Sequence, residues 1–378
     1  MRGAFGQSGS LPDVTDTQAL RIGAERGGYD SPGGVINSAG DPDLDPERIT
    51  EFEGGIDATM NERYTLGVTY YYQSTSNSIV DFQPAPSTGL GNFTVPRNVG
   101  EIVGQGVETG LDVAVLDLDN YQVDFSANYT YQTSEVKELG GQLIQGGFER
   151  NVIKEGLPPG VFFGFKVDGA QFTENGVYNG PNIVDTDGDG DIDQDDRVQL
   201  GNPNPDHYGG FSLNVQLFDN LTISGRAEYQ LGLQVYNGTY RFATRFGNNP
   251  KFNELSSKLG SLEPGTPEYR EAANQFAELE NSDRVSTSNF LEDADFLKVR
   301  EIAVGYDFTD LINRAVQTNL PVREFRVRLS GRNLFTFTEY GGPDPQVNQT
   351  GARTITQGTD FLTLQTPRTF AATLSVGV

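Results

Sequence analysis

The sequence predicts an all-β protein made of long antiparallel strands. Three observations predict it. Apolar residues recur at every second position over stretches of up to about fifteen residues, the period of a strand with two unlike faces. Tight polar turns alternate with long polar connections. No run of eighteen apolar residues is available for a membrane-spanning helix, which leaves strands as the organising element.

The elements follow in order. Residues 51–59 alternate weakly, and residues 64–72 and 107–116 alternate clearly. In residues 121–132, Tyr121, Val123, Phe125, Ala127, Tyr129 and Tyr131 face one way and Gln122, Asp124, Ser126, Asn128, Thr130 and Gln132 the other. Residues 211–218 form the next strand. Residues 221–235 repeat the pattern, with Leu221, Ile223, Ala227, Tyr229, Leu231, Leu233 and Val235 against Thr222, Ser224, Arg226, Glu228, Gln230 and Gln234. Residues 301–308 and 324–331 come next, and the chain closes with Phe370, Ala372, Leu374, Val376 and Val378 on one face. Tight turns are expected at residues 116–121 and 218–221. In the connection 236–289, Pro267 followed by strong helix formers predicts a helix over 267–279, with Tyr269, Ala272, Ala273, Phe276 and Leu279 on one side.

Composition removes several functions. The 378 residues carry a net charge of −25, which repels phosphate and argues against nucleic acid as a partner. The chain has no Cys, so disulfides and thiolate zinc sites are excluded. It has one His, so a paired-histidine zinc motif is excluded too, and no catalytic residue is expected.

Alternation alone leaves two architectures open. A soluble sandwich turns its apolar face to a second sheet, whereas a transmembrane barrel turns it to lipid and encloses its polar face. Strand length, the alternation of short turns with the long connections 135–204 and 236–289, and the crowding of 16 Tyr and 24 Phe favour the barrel. The absence of Trp counts mildly against aromatic girdles.

The sharpest chemistry lies in the first long connection. Asp185, Asp187, Asp189, Asp193 and Asp196 occupy positions 1, 3, 5, 9 and 12 of a twelve-residue calcium loop, with Gly190 at 6 and Ile192 at 8. Hard oxygens at that spacing wrap a tight turn, and Asp191 at position 7 would supply its backbone carbonyl. The expected ligands of a structural Ca2+ ion are therefore Asp185, Asp187, Asp189, Asp191, Asp193 and Asp196. Asp in place of Glu at position 12 shortens the reach. The bland alternative is a solvated acidic turn screened by salt. His207 is expected to be a structural or rim residue. Glu324, Arg326, Arg328, Ser330 and Arg332 make a polar row on one strand, either lumenal or simply solvated.

Several pieces in order resemble one family. These are Arg2-Gly3-Ala4-Phe5-Gly6-Gln7-Ser8-Gly9, Asp45-Pro46-Glu47-Arg48 leading to Phe52-Glu53-Gly54-Gly55, and Asn98-Val99-Gly100-Glu101-Ile102 with Gly106-Val107-Glu108. Further on come the Asp-rich loop with Leu200-Gly201-Asn202-Pro203, the stretch Leu291 to Arg300, Ser330-Gly331-Arg332-Asn333-Leu334-Phe335-Thr336, Asp344-Pro345 and Pro367-Arg368-Thr369-Phe370. Together they resemble the TonB-dependent outer-membrane receptors of the SusC/RagA type. The resemblance implies an antiparallel transmembrane β-barrel segment, about ten strands of a 22-stranded barrel, with long extracellular loops in a bacterial outer membrane. It implies import of a glycan or peptide, a SusD-like lipoprotein lid, TonB as the energy-coupling partner through an N-terminal part, and outer-membrane lipids around the wall. Residues 1–378 are expected to be a fragment, with signal peptide, plug, TonB box and early strands absent. The ending in Val378 departs from the Phe or Tyr common in such barrels.

Two rivals remain. A secreted soluble β-sandwich, a calcium-stabilised adhesion or carbohydrate-binding module, explains the alternation and the acidic loop. An outer-membrane barrel enzyme would have only His207 as an imidazole base.

Overall fold

Ten long strands form, nine of them where alternation predicts them and mostly longer than predicted, and one at Arg2–Ser10, over the first of the resemblance motifs. In the computed structural model they are β1 (Arg2–Ser10), β2 (Glu47–Met60), β3 (Tyr64–Phe82), β4 (Val95–Leu118), β5 (Tyr121–Glu138), β6 (His207–Leu217), β7 (Leu221–Leu231), β8 (Phe296–Asp307), β9 (Glu324–Thr338) and β10 (Thr369–Gly377). Each hydrogen-bonds to the next in chain order, an up-and-down meander of ten strands. The structure describes all residues except 15, 18–20, 27–31, 83–94, 142, 147–149, 316–321, 350, 352–355 and 378. Val378, expected to end the closing strand, lies outside the described residues.

The chain divides into two units, and β2 to β5 run through both. The first comprises Met1–Gly55, Thr69–Val107 and Gln132–Val161. Here β1 pairs with β2 so that Phe5 opposes Phe52, their rings 4.8 Å apart. The motif residues have physical roles. Asn98 Nδ2 donates to the carbonyls of Asp45 and Asn77, each at 2.8 Å, while its Oδ1 accepts from Asp45 N at 2.7 Å. Glu101 accepts from Ser74 Oγ at 3.0 Å, and Glu47 from Ile79 N at 2.8 Å. Glu155 accepts the amides of Leu139 and Gly141, which hold its carboxyl below the usual Glu range.

The second unit comprises Ile56–Val68, Glu108–Tyr131 and Phe162–Val378. Its sheet register decides the architecture. Tyr121, Leu217, Leu221, Tyr306, Val327 and Leu374 lie side by side across six strands. The next row on that face is Val123, Val215, Ile223, Val304, Leu329 and Ala372, and the third is Phe125, Leu213, Gly225, Ile302, Gly331 and Phe370. No charged or polar side chain interrupts these rows. The interleaved rows of the other face carry Gln122, Gln216, Thr222 and Arg328, then Asp124, Asn214, Ser224 and Ser330, then Ser126, Ser212, Arg226, Glu301 and Arg332.

The apolar face is open. Val304 is 43 % exposed, Leu329 56 % and Leu374 59 %, so no second sheet covers these rows among the described residues. A sandwich would bury them. Aromatic rings flank the band: Tyr121 packs on Phe218 and Tyr306 on Phe308 at one end, while Tyr129, Tyr131 and Tyr229 stand toward the other. About eight residues separate Tyr121 from Tyr129, roughly 27 Å of strand. That length matches the ~25 Å outward band of a membrane barrel once tilt is included.

Short turns share one edge. Phe218 N donates to Asn120 O and Asp307 N to Asn220 O, each at 2.8 Å, which ties neighbouring turns together. Phe218 and Asp219 both have positive φ, the twist a tight hairpin needs. Helix α5 (Thr309–Ala315) lies in the connection after β8.

The opposite connections hold the packed core, which lies outside the strand wall. They contain α1 (Gly238–Arg245), α2 (Pro250–Ser261), α3 (Pro267–Ala277) and α4 (Ser286–Asn289). Phe162, Tyr236 and Phe290 are fully buried together, with Leu200, Tyr240 and Leu291 packed against them. The predicted helix is α3, capped by Thr266 and two residues shorter at its end than predicted. The helices α1 and α2 were not predicted. Their caps Asn237 and Asn249 and the flanking Gly and Asn residues read as loop in isolation.

The predicted strand 221–235 is corrected: it stops at Leu231. Gly232 has φ +82° and turns the chain, and Gln234–Asn237 joins a small sheet with Leu291–Asp293 and Thr359–Asp360. Alternation continues through the break because both segments are strands, so the period gives no warning.

Candidate functional site

The acidic loop hangs between two short strands, Tyr178–Ile183 and Arg197–Gly201, with no helix on either side. Asp185, Asp187 and Asp189 converge, their carboxylate oxygens within 4.8 Å of one another. Backbone amides shape the turn: Gly188 N and Gly190 N donate to the two oxygens of Asp185, at 2.6 and 3.0 Å. Gly190 has φ +93°, a conformation L-residues rarely adopt.

The other predicted ligands are used differently. Asp196 is buried, and its oxygens accept from Thr186 N at 2.6 Å and Asp193 N at 2.9 Å. Those amides hold its carboxyl below the usual Asp range. Asp193 accepts from Asp195 N, and Asp191 N donates to Asp189. The structure therefore gathers three of the six carboxylates and makes Asp196 an internal brace. The amide of Asp189 favours ionised Asp187. Desolvation and the charges of Asp189, Asp196 and Asp185 outweigh that bond and raise its pKa. Three converging carboxylate oxygens are the donor type that suits a hard cation.

This loop is fastened to the helical connection. Arg284 Nη2 donates to Ile192 O at 2.6 Å, and its guanidinium lies over Phe165 at 4.8 Å. Nearby, Asn274 of α3 accepts from Ala170 N, and Tyr269 accepts from Tyr178 N, each at 3.0 Å. The two long connections thus form one packed module.

A second constellation lies on the polar sheet face. Glu228 takes hydrogen bonds from Arg300 and from Gln346 Nε2. Lys298 pairs with Asp344 and also donates to Gln346 Oε1 at 2.8 Å. A bulge makes this possible. Arg226 opposes Glu301 and Ala227 opposes Val299, so Arg300 is the extra residue and joins Lys298 on one network. On the neighbouring strand Asn333 has φ +53° and its Oδ1 accepts from Arg300 at 3.2 Å. Sequence reasoning missed this cluster, although the signal was present. Apolar residues stand at 297 and 299 and then at 302, 304 and 306, a phase slip that marks a bulge.

The polar row of β9 is as predicted. Arg328 and Arg332 share Glu301 at 2.7 and 2.6 Å, and Arg326 pairs with Asp307. His207 stands on the apolar face at the strand end, its Nδ1 2.9 Å from Tyr129 Oη and its ring beside Tyr131. That is the place of a rim residue.

A meander with a naked apolar band, an opposite charged face, aromatic borders and long loops at one edge defines the wall of an outer-membrane β-barrel. The chain belongs to the family described as TonB dependent receptor-like, beta-barrel, whose model matches residues 1–237. It is 24 % identical to TonB-dependent receptor P26 of Formosa agariphila over all of this chain and 39 % of that protein. It is 23 % identical to TonB-dependent receptor P3 of the same organism, over 99 % of this chain and 38 % of that protein. The chain therefore spans about two fifths of these relatives. A solved RagAB peptide transporter structure has the same fold, with a TM-score of 0.77 at 21 % identity, over all of this chain and 40 % of that one. The family places the chain in the outer membrane.

Proposed function

We propose that residues 1–378 form ten adjacent wall strands and the external loops of a TonB-dependent importer, the closing part of a 22-stranded barrel. The observation that carries this reading is the open apolar band of three uninterrupted rows backed by a charged face. The wall would border a water-filled bore, and the loop module would meet ligand and lid. A lipoprotein lid and TonB are the partners, the latter through a part of the receptor outside these residues. The cargo is a glycan or a peptide, and the likeness in fold to a RagAB peptide transporter supports the peptide. This reading assigns no catalytic residue.

Within it, the acidic loop holds a structural Ca2+ ion through Asp185, Asp187 and Asp189, with Asp191 and Asp193 nearest in sequence to complete the shell. The convergence of three carboxylates supports this, and the ion would stiffen the module through Ile192 and Arg284.

The test uses the full-length receptor. It should require detergent for extraction, migrate faster on gels when unheated, and support TonB-dependent growth on the cargo. Recovery as a detergent-free soluble monomer would overturn the reading in favour of the sandwich.

A further inference from the structure

The connection after β8 departs from the rest of its edge. The turns at residues 119–120 and 218–220 are tight, whereas this connection runs over residues 308–323 and contains α5. At about 100° per residue, Phe308, Leu311, Ile312 and Ala315 fall in one arc of the helix. Thr309, Asp310, Asn313 and Arg314 share the opposite side. A helix this short has little stability alone, so the surfaces it lies between hold it.

Hydrogen bonds fix which way α5 faces. Thr309 Oγ1 accepts from Phe325 N at 2.8 Å. Asn313 Nδ2 donates to Val322 O and its Oδ1 accepts from Val322 N, each at 2.9 Å. The side carrying Thr309 and Asn313 is thus held against the entry to β9. The side carrying Leu311, which is 60 % exposed, turns away from it. Phe308 ties that apolar arc to the wall. Its N donates to Phe325 O at 2.7 Å, and its ring lies 4.5 Å from Tyr306 and 6.5 Å from Phe325. Phe325 opposes Val376 on β10, on the same face as Tyr306, Val327 and Leu374. The arc of α5 therefore continues the open apolar band past its last row. Both strands beside it have their neighbours, β7 and β10, in place. Additional barrel strands join at the free edges of β1 and β10, and a plug fills the bore, so neither covers this outer side.

We propose that α5 lies in the headgroup region of the phospholipid leaflet at the turn edge, with Leu311 and Ala315 among the acyl chains and the Arg314 guanidinium at lipid phosphates. The proposal rests on the wall reading and adds a lipid contact outside the strands. Two features commit it to lipid. The apolar arc is continuous with the lipid-facing band, and exposed Arg314 borders that arc three residues after Leu311, where a long cationic side chain reaches the headgroups. Short turns of outer-membrane barrels face the periplasm, which makes this the inner leaflet.

The experiment uses the full-length receptor, made cysteine-free outside this chain, in nanodiscs of phosphatidylglycerol and phosphatidylethanolamine. This chain has no cysteine, so each single-cysteine variant carries one fluorophore. Heat-modifiable migration checks that each variant is folded. A label at Leu311→Cys should be quenched by a nitroxide on the upper acyl chain at least about twofold more than one at Asp310→Cys. Adding Arg314→Glu should cut the quenching at Leu311→Cys by roughly half, through loss of attraction to anionic headgroups. A label at Leu329→Cys, in the middle apolar row, is the reference for the wall. Quenching at Leu329→Cys with equal quenching at Leu311→Cys and Asp310→Cys would overturn the interfacial helix alone. Absence of quenching at both Leu329→Cys and Leu311→Cys would overturn the wall reading with it. Unchanged quenching after Arg314→Glu would overturn the phosphate contact.

Discussion

Lys298 and Asp344 form an ion pair across 46 positions of sequence, with side chains only 5 % and 8 % exposed. Lys298 stands on the polar face of β8, and Asp344 comes from the connection after β9. The pair, with Gln346 bonded to Lys298, Arg300 and Glu228, pins that connection to the wall. Thr366 N adds a bond to Asp344 at 3.3 Å.

Removing one partner leaves the other buried and uncompensated, which typically costs about 3–5 kcal/mol. Asp344→Ala should therefore release the connection and raise its protease cleavage rate in the folded receptor. Lys298→Met combined with Asp344→Leu should recover much of the protection, because no lone charge remains. Equal cleavage of Asp344→Ala and wild type would show that the pair does not fasten the loop.

The same pair sets a pH dependence. Burial alone would raise the Asp344 carboxyl, but the hydrogen bond and charge of Lys298, with the amides of Gln346 and Thr366, hold it below its usual value. A depressed folded pKa favours the ionised folded form, so its stabilisation is present above about pH 4 and lost as pH falls through the folded pKa. Protease protection of the connection should drop as pH falls below about pH 4 in wild type and stay flat in Asp344→Asn. A flat wild-type profile would contradict this.

The two faces should tolerate charge unequally. Leu329→Arg places a cation in the middle apolar row, at a cost of about 2–4 kcal/mol if that row meets acyl chains. Thr222→Lys on the polar face should cost little. Midpoint temperatures for loss of heat-modifiable migration should separate the two variants, and identical midpoints would argue against lipid on the apolar side.

Calcium should protect the acidic loop. Extracellular calcium modules often bind at ~0.1–1 mM, and the missing Glu at position 12 argues for that weaker range. Millimolar Ca2+ should slow cleavage near residues 185–196, chelation should restore it, and Asp187→Asn with Asp189→Asn should abolish the difference. Magnesium giving the same protection would point to charge screening instead of a fitted site.

Much of the wall was legible because a strand reports its two environments at every second residue. Tyr121 to Tyr131 and Leu221 to Leu231 needed no alignment to be placed on one face. The bulge at Arg300 was written as a phase slip but went unread, since a short strand window hides a one-residue shift. The helices α1 and α2 were illegible because their stability comes from caps and burial against distant strands, as Asn237 and Asn249 illustrate.

The sequence by itself determined the strands, their two-faced character, the turn edge and the spacing of the acidic loop, since each follows from residues near one another in the chain. Tertiary structure decided the rest. It left the apolar rows uncovered, which alternation cannot distinguish from a sandwich core. It turned Asp196 inward as a brace and joined Lys298 to Asp344. Those outcomes depend on which distant groups reach each carboxylate first, and that competition is settled only when the strands are in register.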